Sequence, residues 1–331
     1  MTPDPQRERA HGLALTTADA LARGITRREI DSDAYVRARH GVHVPQGAPL
    51  TDPDVRIAVA AAALRGRAAL GGWAAARLHE RTALRSDGDR SPLVVFDGLH
   101  RWPLATRELD PLLICAPRSA RIAEPPASRV FRSDFDEEEI ELVDGVRVTR
   151  GLRTAFDIAR LGRFESGVVA IDRLRSLGVI DGEDLEELIA QRRGWVGADL
   201  ARRVLRDSSD RVESPRESLL RLVWLGTGLG RPLANPVIRT RAGEFLARVD
   251  LLDPATGIIG EYDGEHHASA QRRSDDARRQ EALHTVGLRM IRATSVDLAT
   301  SSARLAWQGR LRQMYASVRR ERRSQGWVAG Y

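Results

Sequence analysis

Ala247-Arg-Val-Asp-Leu-Leu-Asp-Pro-Ala-Thr-Gly-Ile-Ile-Gly-Glu-Tyr-Asp-Gly-Glu-His-His267 decides the reading of the chain. The apolar pattern predicts two short strands, about Ala247–Leu252 and Gly257–Tyr262. Asp253-Pro254 and Thr256-Gly257 supply the turn between them. Side chains alternate along a strand, so Glu261 and Asp263 share a face, and Asp250 on the neighbouring strand is within reach of it. Three carboxylates thus converge at the end of a small sheet, with His266 and His267 just beyond. Such a cluster repels itself unless protons or a cation neutralise it. A hard divalent cation with oxygen ligands meets that need.

The surrounding segments set this pair of strands in a domain. Ser214-Pro-Arg-Glu217 places an N-cap, a proline at the first helical position and an acid two residues later, a strong helix start. Leu219, Leu220, Leu222, Val223 and Leu225 form the apolar face of that helix, and Gly226 and Gly228 end it. Pro236–Arg239 reads as the first strand and Arg241–Glu244 as a turn. A helix from about Arg272 to Val286 follows, and Leu288–Ala293 is the last strand. The order is helix, three strands, helix, strand.

That order, with Asp on the second strand and Glu on the third, resembles the PD-(D/E)XK nuclease superfamily. Within it the chain is most similar to the family related to very-short-patch repair endonucleases. The marks are Arg248-Val-Asp250, Glu261-Tyr-Asp-Gly264 and His267. They continue as Asp276-x-x-Arg279-x-x-x-Leu283-x-x-x-Gly287 and Leu288-Arg-Met-Ile-Arg292, over roughly residues 213–298. The resemblance implies a phosphodiesterase site in which Asp250 and Glu261 hold Mg²⁺ or Mn²⁺, with Glu217 in the place of an auxiliary acid. It puts Asp263 where the superfamily carries a lysine, in a chain that contains none. Asp263 would then bind a second metal or orient water, His267 would act as general base, and Arg278 or Arg279 would offset charge on the phosphate. Other readings of the same residues stay open. Asp250 and Glu261 also suit structural bonds to Arg248 or Arg279, the two histidines suit a surface pair, and Asp276 with Arg279 suits a helix-surface ion pair.

The remaining chain carries less chemistry. All 52 basic residues of the 331-residue chain are arginine and the net charge is +6. A GC-rich genome accounts for most of the arginine bias, while the basic excess favours a polyanionic partner such as DNA. One cysteine, Cys115, excludes a disulfide framework and fits a reducing cytoplasm. The first residues have no signal-peptide core, and no run approaches the roughly 18 apolar residues of a membrane span. Neither a membrane nor a nucleotide cofactor is expected.

Residues 1–50 read as a small helix-turn-helix with a wing: a helix from Thr16 to Gly24, a second from Arg27 to about Arg37 and a strand from Arg39 to Pro45. Arg27 and Arg28 then open the recognition helix. Thr17–Gly24, Ile25–Ile30 and Gly41-Val-His-Val44 resemble the winged helix of AbiEi-like antitoxins of type IV toxin–antitoxin systems, which implies DNA or a partner protein as ligand. A structural or protein-binding cap fits these residues equally well, since Glu29, Asp31 and Asp33 oppose phosphate.

Residues 51–206 predict a mixed α+β middle region. Residues 51–85 read as helical with a break at Gly71-Gly72, and 133–141 as a solvated acidic loop or edge. Val148–Asp157 is similar to the middle of the same antitoxin-like proteins, which implies a scaffold. His79 and His100 are isolated and read as structural. Residues 207–213 read as a linker, 214–298 as the nuclease-like domain, and 299–331 as a basic closing helix running from Ala303 to Trp327. Arg319 and Arg320 on that helix would face a DNA backbone. The expected class is α/β overall, with a winged-helix-like N-terminus, a mixed α+β region and a restriction-endonuclease-like α-β-β-β-α-β domain.

Overall fold

The computed structural model describes residues 13–64, 66–86, 95–99, 108–122, 124–125, 127–133, 136–264, 270–320 and 326–331, with backbone alone for 86, 270–277, 319 and 320. The chain is mixed α/β and divides into two compact units. The first comprises the described residues up to 162 together with 177–202; the second comprises 163–176 and 203–331.

The first unit begins with strand β1 (Leu15–Thr16), helices α1 (Thr17–Ala22) and α2 (Arg27–Ile30), and strands β2 (Tyr35–Arg39) and β3 (Val42–Pro45). The caps read from the sequence are present: Thr16 accepts from the Asp19 amide, and Thr26 and Glu29 form a capping box. The second helix is one turn long and does not reach Arg37. Asp31 caps it, Ser32 bonds back to the Glu29 carbonyl, and Tyr35 and Val36 favour extended backbone. Residues 35–45 form a hairpin, with Gly41 at φ +70, in place of a single strand. The three strands pair in the order β1-β3-β2.

Helix α3 (Pro53–Ala63) packs Val55 and Ala58 on this sheet. Strands β4 (Ala69–Gly71), β5 (Leu112–Ala116), β6 (Ser128–Arg132), β7 (Ile140–Val143) and β8 (Val146–Thr149) form a second sheet, in the order β6-β5-β4-β8-β7. Helix α4 (Gly72–Ser86) leaves β4 directly. The break at Gly71-Gly72 is therefore the end of a central strand, where a Cβ on Gly71 would meet Cys115 Sγ at 2.8 Å. The acidic run is anchored as well as solvated: Glu139 binds Arg153 and Arg192, and Glu137 binds Arg67 and Arg147. Helix α5 (Gly151–Leu161) carries Arg153, Asp157 and Arg160, all buried, with Asp157 bonded to both arginines. Helix α7 (Gly182–Gln191) packs on α5, while α6 (Phe164–Ser176) belongs to the second unit. Helix α8 (Ala198–Arg206) ends this region.

In the second unit, helix α9 (Pro215–Leu225) packs on α6. Buried Asp172 of α6 accepts bonds from Ser218, Arg221 and the Ser209 amide; burial raises its pKa and these bonds oppose the rise. The segment 207–213 is thereby tied to the unit, with Val212 buried. Strands β9 (Leu233–Ala234), β12 (Leu251–Asp253), β13 (Ile258–Tyr262) and β14 (Arg289–Ala293) form a sheet ordered β14-β13-β12-β9, with β13 and β14 parallel. Strands β10 (Val237–Thr240), β11 (Phe245–Arg248) and β15 (Trp327–Gly330) form a second sheet ordered β11-β10-β15. Helix α10 (Ala270–Thr285) places Leu283 in the core shared by Ile238, Val249, Leu252 and Trp327. Helices α11 (Ser295–Ala299) and α12 (Ser301–Arg320) follow.

The strand expected over 247–252 is broken at Val249-Asp250, and its halves pair in different sheets. The closing helix is described from Ser301 to Arg320, and Trp327, expected at its end, lies in β15, paired antiparallel with β10. Its indole is buried in the core, which a solvated helix end would not provide.

Candidate active site

The break between β11 and β12 places Asp250. Its backbone carbonyl accepts the Asn235 amide at 2.8 Å, and its Oδ2 accepts the Tyr262 amide at 2.8 Å. The second bond joins it to the end of β13, one residue after Glu261. The Asp250 carboxyl has its pKa pushed up to about 7. Burial is the main cause, and the charges of Glu217 and Glu261 add to it, against the Tyr262 amide and the Arg279 charge. Asp250, Glu217 and Glu261 therefore share one electrostatic environment, and Asp263, the third acid expected to converge there, is not among the groups that act on Asp250.

Each partner acid is separately held. Glu261 takes a forked contact from Arg279 of α10, Nη2 to Oε1 at 2.6 Å and Nη1 to Oε2 at 3.4 Å. The same Nη2 donates to the Arg248 carbonyl at 2.7 Å, so Arg279 ties α10 to β11. Arg248 pairs with Glu213. Glu217 sits in the first turn of α9 and accepts from Asn235 Nδ2 at 2.7 Å and from the Glu213 amide at 3.1 Å.

Sequence reasoning missed Asn235. It adopts φ +51, a left-handed conformation that asparagine tolerates better than most residues. In that conformation it reaches both acids: its amide N–H holds the backbone of Asp250, and its side chain binds Glu217 Oε2 and the Arg211 carbonyl. The Asn235-Pro236 pair, a turn signal between two strands, was the available clue.

Other predicted residues fall outside this cluster. Asp263 is exposed, and its amide continues the parallel ladder to the Ala293 carbonyl at 2.8 Å. His266 and His267 lie outside the described residues. Arg278 is exposed on α10. Arg27 and Arg28 are exposed on the single turn of α2. Arg319 and Arg320 occupy the last turn of α12, their side chains outside the described set. His79 is buried against the Thr149 carbonyl at 2.8 Å, as expected of a structural histidine, and His100 lies outside the described residues.

Asp250, Glu261 and Glu217 offer oxygen donors alone, the donor type that suits a hard divalent cation. Burial disfavours the charge of Asp250, while the Arg279 contact already serves Glu261. Among the described residues no three His, Cys, Asp or Glu side chains are grouped closely enough to hold a metal ion.

No family model matches the chain, and no solved structure matches it. Two uncharacterized proteins of Mycobacterium tuberculosis, from strains CDC 1551 / Oshkosh and ATCC 25618 / H37Rv, are each 31% identical over 169 residues. The match covers 50% of this chain and 62% of each relative, so the chain spans less than two thirds of their length. No helix among the described residues is long and apolar enough to cross a membrane.

Proposed function

We propose that the second unit is a metal-dependent nuclease domain that hydrolyses phosphodiester bonds of DNA in the cytoplasm. The observation that carries this reading is the Asp250 carboxyl, pushed up to about 7 by burial and by Glu217 and Glu261, at a break between two strands. Perturbed acids of this kind concentrate at functional sites. The order of α9, the strands up to β13, α10 and β14 supports a restriction-endonuclease-like arrangement. Asp250 and Glu261 would hold Mg²⁺ or Mn²⁺, with Glu217 as auxiliary acid. Such an ion, when bound, lowers the pKa of water and neutralises charge on a phosphate. Asn235 bonds both to Glu217 and to the backbone of Asp250. Arg279, already on Glu261, brings a positive charge to the place where a phosphate would sit. His267 is the candidate base.

The second reading is a DNA-binding regulator or antitoxin-like protein that keeps the fold without cleaving, recognising DNA or a toxin partner. It is favoured by the Arg279 contact, which serves Glu261 without a metal, and by Asp263 at the lysine position. The exposed Arg27 and Arg28 beside a small sheet suit a winged-helix-like reader in either case. Plasmid incubated with Mg²⁺ or Mn²⁺, beside Asp250→Ala and Glu261→Ala, decides between the two. Cleavage by the wild type alone supports the nuclease; cleavage surviving both substitutions overturns the site. No cleavage with any metal, and DNA binding retained, establishes the regulator.

A further inference from the structure

The outer face of the three-stranded sheet β11-β10-β15 has no assigned role. Its register sets Phe245, Arg239 and Val328 side by side, one from each strand, and next to them Arg248, Val237 and Gly330. The alternate row, Ala247, Ile238 and Ala329, turns inward to the core. Phe245 is 62% exposed, Val328 51% and Tyr331, just past β15, 64%. The Arg211 guanidinium lies over the Tyr331 ring at 4.5 Å. Gly330 leaves the floor beside Val237 open, since a Cβ there would meet nothing within 4 Å.

An exposed phenylalanine on a strand costs free energy unless something covers it. Here Phe245 is uncovered beside Arg239, and Tyr331 carries the Arg211 guanidinium on one face of its ring, which selects among possible covers. A membrane surface would ask for a larger apolar face, and an acidic protein segment would leave the rings unused. Unpaired nucleotides satisfy both: each base has a flat face for a ring, and each linkage has a phosphate for an arginine. A duplex keeps its base faces stacked inside and offers only the phosphates. The outer strands lie about 10 Å apart across the sheet, room for two or three extended nucleotides. The platform also runs into the carboxylate site, since β11 leads from Phe245 through Arg248 to Asp250 within six residues.

We propose that this face binds single-stranded DNA, with Phe245 and the open side of Tyr331 stacking on bases and Arg239 and Arg211 holding the phosphates, so that the strand is delivered toward Asp250. The inference rests on the nucleic-acid reading of the carboxylate site and specifies its substrate as single-stranded.

The test is fluorescence anisotropy of the full chain with a labelled oligothymidylate, in EDTA, so that binding is read whether or not the protein cleaves. Phe245→Ala and Tyr331→Ala are each expected to weaken binding about tenfold. Phe245→Trp is expected to retain it. Arg239→Ala is expected to lower the steepness of the salt dependence by about one phosphate contact. All three positions are exposed, and equal melting temperatures verify folding. Affinity within twofold of wild type for both alanine variants overturns the proposal. Tighter binding of a duplex of equal length, or of an oligouridylate RNA, overturns it as well.

Discussion

Asp250→Asn should stabilise the protein, and most at a pH where Asp250 would otherwise be charged. The carboxyl is raised from an ordinary 3.8 to about 7 in the folded state. Between those values the native chain keeps a proton that the unfolded chain has released. The folded state binds more protons there, so stability falls as pH rises through the window, and the full loss is present above it. The span corresponds to about 4 kcal/mol, and roughly half survives the screening of a carboxyl partly open to water, leaving ~2 kcal/mol. Asparagine has nearly the same shape, keeps an oxygen for the Tyr262 amide and carries no charge. Its gain over wild type should be about 2 kcal/mol at pH 8 and about 0.5 kcal/mol at pH 4.5. Calorimetry in EDTA at both pH values reads this as a rise of roughly 6 °C for the second unit at pH 8, and a small change at pH 4.5. Millimolar Mg²⁺ should then raise the wild-type transition at pH 8 and leave the variant's in place. A gain of equal size at both pH values, or a variant less stable than wild type at pH 8, would refute the electrostatic account of the site.

Arg279→Gln leaves Glu261 without its guanidinium partner. It should cost about 1–2 kcal/mol in urea unfolding and tighten Mn²⁺ binding in titration calorimetry, because the cation no longer displaces an arginine. Asn235→Gly keeps the left-handed backbone and removes the bonds to Glu217 and Arg211, for a cost of about 1–2 kcal/mol. Asn235→Ala adds about 1 kcal/mol more from the φ of +51, so paired urea titrations of the two variants measure that conformational term. Trp327→Ala empties the corner of the core shared with Ile238 and Leu288, and should lower stability by about 3–5 kcal/mol in thermal melts. A loss below 1 kcal/mol there would mean that β15 is dispensable.

Much of the second unit is legible because its signals are local. Ser214-Pro215 starts α9 where the capping pattern says, and the apolar stretches around Ile259 and Ile291 give β13 and β14 within a residue or two. What escapes is the tertiary context of short segments. Leu70 reads as part of a helical run, yet its three-residue strand is the centre of a five-stranded sheet, a place set by pairing with β5 and β8. Trp327 reads as the end of an amphipathic helix, yet its place is fixed by strand β10, almost ninety residues earlier in the chain. Non-local pairing leaves no periodic trace in a segment of three or four residues.

The candidate site divides along the same line. Asp250 and Glu261 stand out as acids among apolar neighbours, which a sequence displays directly. How Asp250 comes near Glu261 depends on a feature no alternation pattern encodes. An unbroken strand from 247 to 252 would carry Asp250 as one more side chain on a sheet face. The break at Val249-Asp250 instead sends β11 and β12 into different sheets. Val249 turns into the core between them, and the freed backbone of Asp250 bonds to the amide of Asn235. The carboxyl then caps the Tyr262 amide at the end of β13, next to Glu261. The same break lets β11 end on Arg248, whose carbonyl receives Arg279. The chain has spent an irregular stretch of backbone to hold a carboxyl in surroundings that disfavour its charge. Strand pairing alone would not select that arrangement, whereas the proposed cation site would.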